Sequence, residues 1–226
     1  LARNPYGGKS LYEIRNIAIQ ISNWFREKNL DALLVACNTT NACALDLLQG
    51  NLNIPCFDLI HSVSEKVSVK NIGVIATNAT IESSTYKKLI ERRGNGIKVY
   101  QQACPEFVTE IEKIPIDISK INYLTDIYFN PLLKNNIKEI ILGCSHYPLI
   151  YETLRKKTPI NINIIDPSIA LIEKLNNYFQ PVKNFSKSDN DPNIEFFATG
   201  KIDEFSLKVT NWLKINKKIS FVNLQT

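Results

Sequence analysis

The chain has 226 residues and a formal net charge of +5, enough length to bury one large core or two small ones, and its even spread of apolar residues argues for a globular α/β protein. Its basic residues come as scattered pairs, Lys87-Lys88, Arg92-Arg93, Lys156-Lys157 and Lys217-Lys218, which read as solvated faces and not as a nucleic-acid surface, and which fit an enzyme of anionic small molecules equally well. Five cysteines, an odd count without a signal-like segment, argue against a disulfide framework and for a reducing cytoplasm, and no apolar run approaches the ~20 residues needed to span a bilayer.

The chain starts at Leu1 and holds no methionine, so its natural start is expected upstream. Leu1 to Lys9 reads as a loop: Pro5 fixes one turn, and Gly7-Gly8 permit positive φ or close approach to a ligand. Ser10-Leu-Tyr-Glu13 is a capping box opening a helix that carries Leu11, Ile14, Ile17, Ile21 and Trp24 on one face and stops near Asn29. Ala32 to Ala36 is the first strand and delivers Cys37, after which Thr39 or Thr40 is placed to cap an amphipathic helix through Gln49. Ile54 to Ile60 is a further strand. The polar segment His61 to Asn71 then reads as a crossover between domains.

Ile72 to Thr77 starts a new strand, with Thr80 placed to cap a helix from Ile81 to Arg92. Ile97 to Gln101 is a strand and Ile118 to Leu133 mostly helical, and Ile137 to Leu142 is the strand that carries Gly143-Cys144-Ser145-His146 to the start of a helix. Ile162 to Ile165 is a strand stopped by Asp166-Pro167 ahead of a helix through Phe179, and Ser186 to Asn193 is a turn-rich exposed loop. A strand Glu195 to Ala198, a helix Ile202 to Trp212 and a strand Ile219 to Leu224 complete the chain. This alternation implies parallel sheets with helices on both faces and ligands at the carboxyl ends of strands, where Cys37 and Cys144 both sit.

Two thiols facing one cleft permit what a single thiol does not. Inverting a carbon that bears hydrogen needs a base on one face and an acid on the other, and a thiolate and thiol pair simply exchange roles after each turnover. A thiol at a helix N-terminus is expected to ionise easily. The sequence offers no recognisable lysine motif for a pyridoxal cofactor, so charge moving onto a substrate carboxylate must be held by preorganised donors. Asn38, Thr39, Ser145 and backbone N–H groups at helix starts are of the right type, Thr77 would make a third anion-binding turn, and His146 is placed to tune Cys144 or shuttle its proton. Cys43, Cys56, Cys104 and His61 are read as structural. No CxxC or HxxxH pair is present, so no metal site is expected.

Ala36-Cys37-Asn38-Thr39-Thr40, Leu142-Gly143-Cys144-Ser145-His146-Tyr147-Pro148-Leu149 and Pro5-Tyr6-Gly7 together resemble the cofactor-independent glutamate racemases of bacterial cell-wall synthesis. Ala103-Cys104-Pro105 with Phe107-Val108, and Ala198-Thr199-Gly200 with Phe205 and Trp212, are similar to the same pattern, so the resemblance spans nearly the whole chain. It implies two pseudo-symmetric α/β domains with the active site in the cleft between them: here residues 1–60 plus 167–226, and residues 61–166. It also implies that Cys37 removes the proton from D-glutamate and Cys144 from L-glutamate, that Glu112 and His146 support this acid/base pair, and that Pro5, Tyr6, Gly7, Asn38, Thr39, Thr77 and Ser145 bind substrate, with no cofactor. His146 stands where aspartate racemases usually carry a glutamate. Ser145 replaces the family's usual threonine, Ala76 stands where glycine is common, and the opening strand with its Asp-Ser-Gly loop, ~30 residues or one βαβ unit, has no counterpart in the chain. An aspartate or hydantoin racemase, and a silent binding or regulatory protein on the same fold, are the alternative readings. The assembly state is left open, a homodimer included.

Overall fold

The computed structural model describes residues 3–94, 96–179 and 194–224; the loop expected over Ser186 to Asn193 lies outside them. The capping box closes as expected: the Glu13 amide donates to Ser10 Oγ at 3.3 Å and the Ser10 amide to the Glu13 carboxylate at 2.9 Å, which starts helix α1 (Leu11–Arg26). The expected apolar face is corrected. The stripe that packs is Ile14, Ile17, Ala18 and Ser22, turned toward helix α2 (Asn38–Leu52), whereas Leu11 is exposed outside that contact. Between the two helices runs strand β1 (Leu33–Val35), parallel to β2 (Cys56–Asp58).

Asp58 caps the next helix, α3 (Leu59–Ser64), by accepting from the His61 amide at 2.8 Å. In this helix, at the start of the polar segment His61 to Asn71, Ser62, Val63 and Ser64 are buried; Ser62 Oγ donates to the Asp58 carbonyl at 2.6 Å, so its hydroxyl needs no water. After it come β3 (Asn71–Ala76), α4 (Asn78–Ser83), α5 (Thr85–Glu91), β4 (Lys98–Ala103), α6 (Pro105–Ile111), α7 (Ile118–Leu133) and β5 (Glu139–Gly143). The helix expected over Ile81 to Arg92 is broken at Ser84, which takes φ +55 between α4 and α5, and Thr80 lies inside α4 and caps nothing.

A short 3-10 helix (Tyr147–Ile150), then α8 (Tyr151–Lys157), β6 (Asn163–Ile165) and α9 (Pro167–Phe179) follow, and α10 (Ile202–Leu213) connects β7 (Phe196–Ala198) to β8 (Ile219–Phe221). Among the described residues every strand pair is parallel: β1 with β2, β7 with β8, and a central sheet in the order β4-β3-β5-β6. The period of two sends Ile140 and Leu142 to one face of the central sheet, against Phe107, Ile111 and Leu124, and Ile141 to the other, against Ile60, Tyr86 and Ile90. Each such side chain contributes on the order of 1.5–3 kcal/mol by leaving water, and burial on both faces explains why β3 and β5 are apolar after their first residues, Asn71 and Glu139. The fold is α/β with parallel sheets flanked by helices, and no helix among the described residues is long and apolar enough to cross a membrane.

Candidate active site

Register places the site. Ala76 of β3 pairs with Gly143 of β5, so the next residues, Thr77 and Cys144, leave adjacent strands at one level. A Cβ on Gly143 would lie 2.8 Å from the Ile75 carbonyl oxygen and 2.9 Å from the Ala76 Cβ; only glycine lets the strands sit this close just before the thiol. From the smaller sheet, β1 delivers Cys37 in an extended conformation, and its Sγ accepts from the Thr40 amide at 3.5 Å. Cys37 is therefore itself the N-cap of α2, correcting the expectation that Thr39 or Thr40 would be. The loop before α1 is pinned on top: the Ala79 amide donates to the Gly7 carbonyl at 3.1 Å, and a Cβ on Gly7 would stand 2.5 Å from Thr77 Cβ.

These pieces enclose a cavity of about 270 Å3 lined by both Cys37 and Cys144, with Pro5, Tyr6, Gly7, Asn38, Thr39, Thr77, Ser145 and His146. Asn4 and Val108 also line it and were not singled out from sequence. Grooves of about 530 and 670 Å3 beside α1 are larger, but neither is lined by Cys37 or Cys144. Thr39, Thr77 and Thr80 form a hydroxyl triangle, with oxygens 2.9 Å apart for Thr39 and Thr77, 3.0 Å for Thr77 and Thr80, and 3.3 Å for Thr39 and Thr80. It ties the first turns of α2 and α4 together. Asn38 Oδ1 accepts from the Tyr86 hydroxyl at 2.6 Å, while its Nδ2 is buried without a partner in the protein.

Glu112 does not line the cavity but stands behind it. Its Oε1 lies 2.8 Å from His146 Nε2, and its Oε2 accepts from Lys208 Nζ of α10. Burial pulls His146 below the usual imidazole range, so the neutral ring is favoured. A carboxylate only accepts, which places the proton on Nε2 and leaves the Nδ1 lone pair facing Cys144 Sγ at 3.8 Å. Trp212, also from α10, sets its ring edge-on to His146 with centroids 6.1 Å apart. Lys208 carries no local signal: it is separated from Glu112 by 96 residues, and only the docking of α10 brings them together.

The expected easy ionisation of Cys144 is corrected. Burial pushes its thiol up to about 12, reinforced by the nearby Cys37, and the His146 and Tyr147 amides only partly offset this. The reason is local: Cys144 is 7% exposed, and a tight turn and the 3-10 helix follow it, with the regular helix α8 beginning only at Tyr151. Burial likewise pushes the Tyr6 phenol up to about 12 and the Cys43 thiol up to about 11, and it holds Cys104 far above its ordinary value. Among the described residues no group of three or more His, Cys, Asp or Glu side chains is placed to hold a metal ion. Two thiols, one poised neutral imidazole and a rim of amide and hydroxyl donors suit proton transfer at a carbon next to a bound carboxylate.

Comparison with known proteins agrees in kind. The model of a family described as Asp/Glu/hydantoin racemase matches residues 5–175. A glutamate racemase of Prochlorococcus marinus is 43% identical over 225 residues, covering 99% of this chain and 85% of its own length. Among solved structures, a glutamate racemase isoform of Bacillus anthracis superposes with a TM-score of 0.90 at 32% identity, over 99% of this chain and 85% of its own. A glutamate racemase of Francisella tularensis in complex with D-glutamate also superposes with a TM-score of 0.90, at 30% identity, over 99% of this chain and 85% of its own.

Proposed function

Since the chain belongs to the Asp/Glu/hydantoin racemase family, we propose that it interconverts L- and D-glutamate by a two-thiol 1,1-proton transfer. The observation that carries this reading is that Cys37 and Cys144 line one small cavity from the ends of strands in two different sheets. Burial favours the thiol form of Cys144, and in the D-to-L direction the Cα–H proton passes to a thiolate at Cys37 while the Cys144 S–H proton is delivered to the opposite face. What remains is a Cys144 thiolate that burial makes strongly basic, ready to take the α-proton of L-glutamate while Cys37 returns one.

Asn38, Thr39, Thr77 and Ser145 hold the substrate carboxylate on which charge accumulates as the α-proton leaves, and Pro5, Tyr6 and Gly7 close the cavity above it. His146 steadies the Cys144 proton through Nδ1, and Glu112 fixes the ring. No step calls for a cofactor. In this reading the cleft separates residues 1–60 plus 167–226 from residues 61–166, the enzyme works in the cytoplasm, and its D-glutamate supplies peptidoglycan synthesis. Glutamate is preferred to aspartate because the relatives named above are glutamate racemases.

The test is a circular dichroism assay started from each enantiomer, paired with proton NMR in deuterated water. Glutamate of either hand should reach a racemic mixture and exchange its α-proton for solvent deuterium. Turnover of aspartate with none of glutamate would move the chain to the other branch of the family, and turnover of neither would leave a binding protein on this fold.

A further inference from the structure

We propose that Tyr86 is a positioning residue that sets the Asn38 amide with its N–H side toward the substrate carboxylate, an inference that rests on the function proposed above. Tyr86 lies on α5 and is fully buried among Ile60, Ile72, Ile90 and Ile141, where its hydroxyl is the odd polar atom. That hydroxyl donates to Asn38 Oδ1 at 2.6 Å and makes no other hydrogen bond among the described residues. Burial keeps it a phenol, hence a donor, at every ordinary pH.

An asparagine amide has two orientations that differ little in shape, so what surrounds it must choose between them. If the Asn38 amide turned over, the Tyr86 O–H would lose its acceptor, and Oδ1 would point a lone pair at an anionic substrate. In the orientation present, Nδ2 is buried without a partner in the protein on a residue that lines the cavity, a donor left for something that occupies it. The Tyr86 bond also pulls electron density from the amide oxygen, which makes the Nδ2 protons better donors to the charge that develops in the transition state. A chain of two hydrogen bonds thus runs from the apolar core to the substrate.

The test compares four proteins: wild type, Tyr86→Phe, Asn38→Ala and the double variant. Tyr86→Phe keeps the ring and its packing, so the thermal midpoint should change little. Its kcat/KM for glutamate should fall about tenfold, through a raised KM and a lowered kcat together, and the inhibition constant for glutarate should rise with KM. In the Asn38→Ala background the same substitution should have no further effect on kcat/KM, because the residue it acts through is gone. Equal losses in both backgrounds, or an unchanged kcat/KM in Tyr86→Phe, would overturn the assignment while leaving the racemase reading intact. Absence of turnover in the wild type would overturn both.

Discussion

Replacing Lys208 by methionine probes the link from helix α10 to the proton-transfer site. Methionine keeps most of the apolar stem and removes the ammonium that meets Glu112 Oε2. The side chains of Lys208 and Glu112 are 15% and 20% exposed, between the solvated pairs worth about 0–1 kcal/mol and the fully buried pairs whose breaking costs about 3–5 kcal/mol. A loss of about 2 kcal/mol is therefore expected, a fall of roughly 4–8 °C in thermal midpoint for a chain of this size. Glu112 would then act on His146 alone, which favours imidazolium and takes away the Nδ1 lone pair that faces Cys144. The acid limb of the rate profile should move to higher pH, and kcat should fall about tenfold, equivalent to roughly 1.4 kcal/mol of barrier.

Neither Lys208 nor Glu112 lines the cavity, so KM should stay nearly constant. Because enantiomers have equal free energies, kcat/KM must fall by the same factor from L- and from D-glutamate. Glu112→Gln should also lower kcat by freeing the His146 ring, but it removes the carboxylate that favours the imidazolium and so should not move the acid limb to higher pH; combining it with Lys208→Met should cost less than the sum of the two. The measurements are a thermal melt and rates against pH from both enantiomers. A raised KM with unchanged kcat, or strict additivity in the double variant, would refute this account of the network.

Cys37→Ser and Cys144→Ser should each lower racemisation by about 10²–10⁴-fold while leaving the far-ultraviolet circular dichroism spectrum unchanged, and retained turnover in either would remove the two-thiol mechanism. Gly7→Ala should cost about 1–3 kcal/mol and raise KM several-fold, since its Cβ would meet Thr77 Cβ at 2.5 Å and lift Pro5 and Tyr6 away from the cavity. Gly8→Ala, where a Cβ meets nothing within 4 Å, is the control and should stay within about 0.5 kcal/mol of wild type. His146 has a pKa below its ordinary 6.5, so the stability it contributes is present above that value and is lost as pH falls through it toward the lower folded value. His61, raised by its hydrogen bond to Asp58, acts in the opposite sense, with stability present at low pH and lost as pH rises through its folded value. Thermal midpoints from pH 8 to 5 should thus fall less steeply in His146→Asn than in wild type, and an identical slope would contradict the burial argument.

The sequence by itself determined the features whose cause is local. Ser10 and Glu13 close a capping box because both partners lie within one turn, and the apolar runs before Cys37 and Cys144 both form strands, the second buried on both faces and the first with Leu34 exposed. The tertiary structure decided what depends on distance through space. Cys144 reads as a reactive thiol from its neighbours in the chain, yet its proton affinity is set by the side chains that exclude water from it. Thr39 and Thr80 look like helix caps and form a hydroxyl triangle with Thr77 instead, because packing brings the starts of α2 and α4 together. Lys208 and Tyr86 had no local mark at all. Their partners lie 96 and 48 residues away, and a hydrogen bond leaves no trace in sequence until packing has brought its two ends within about 3 Å.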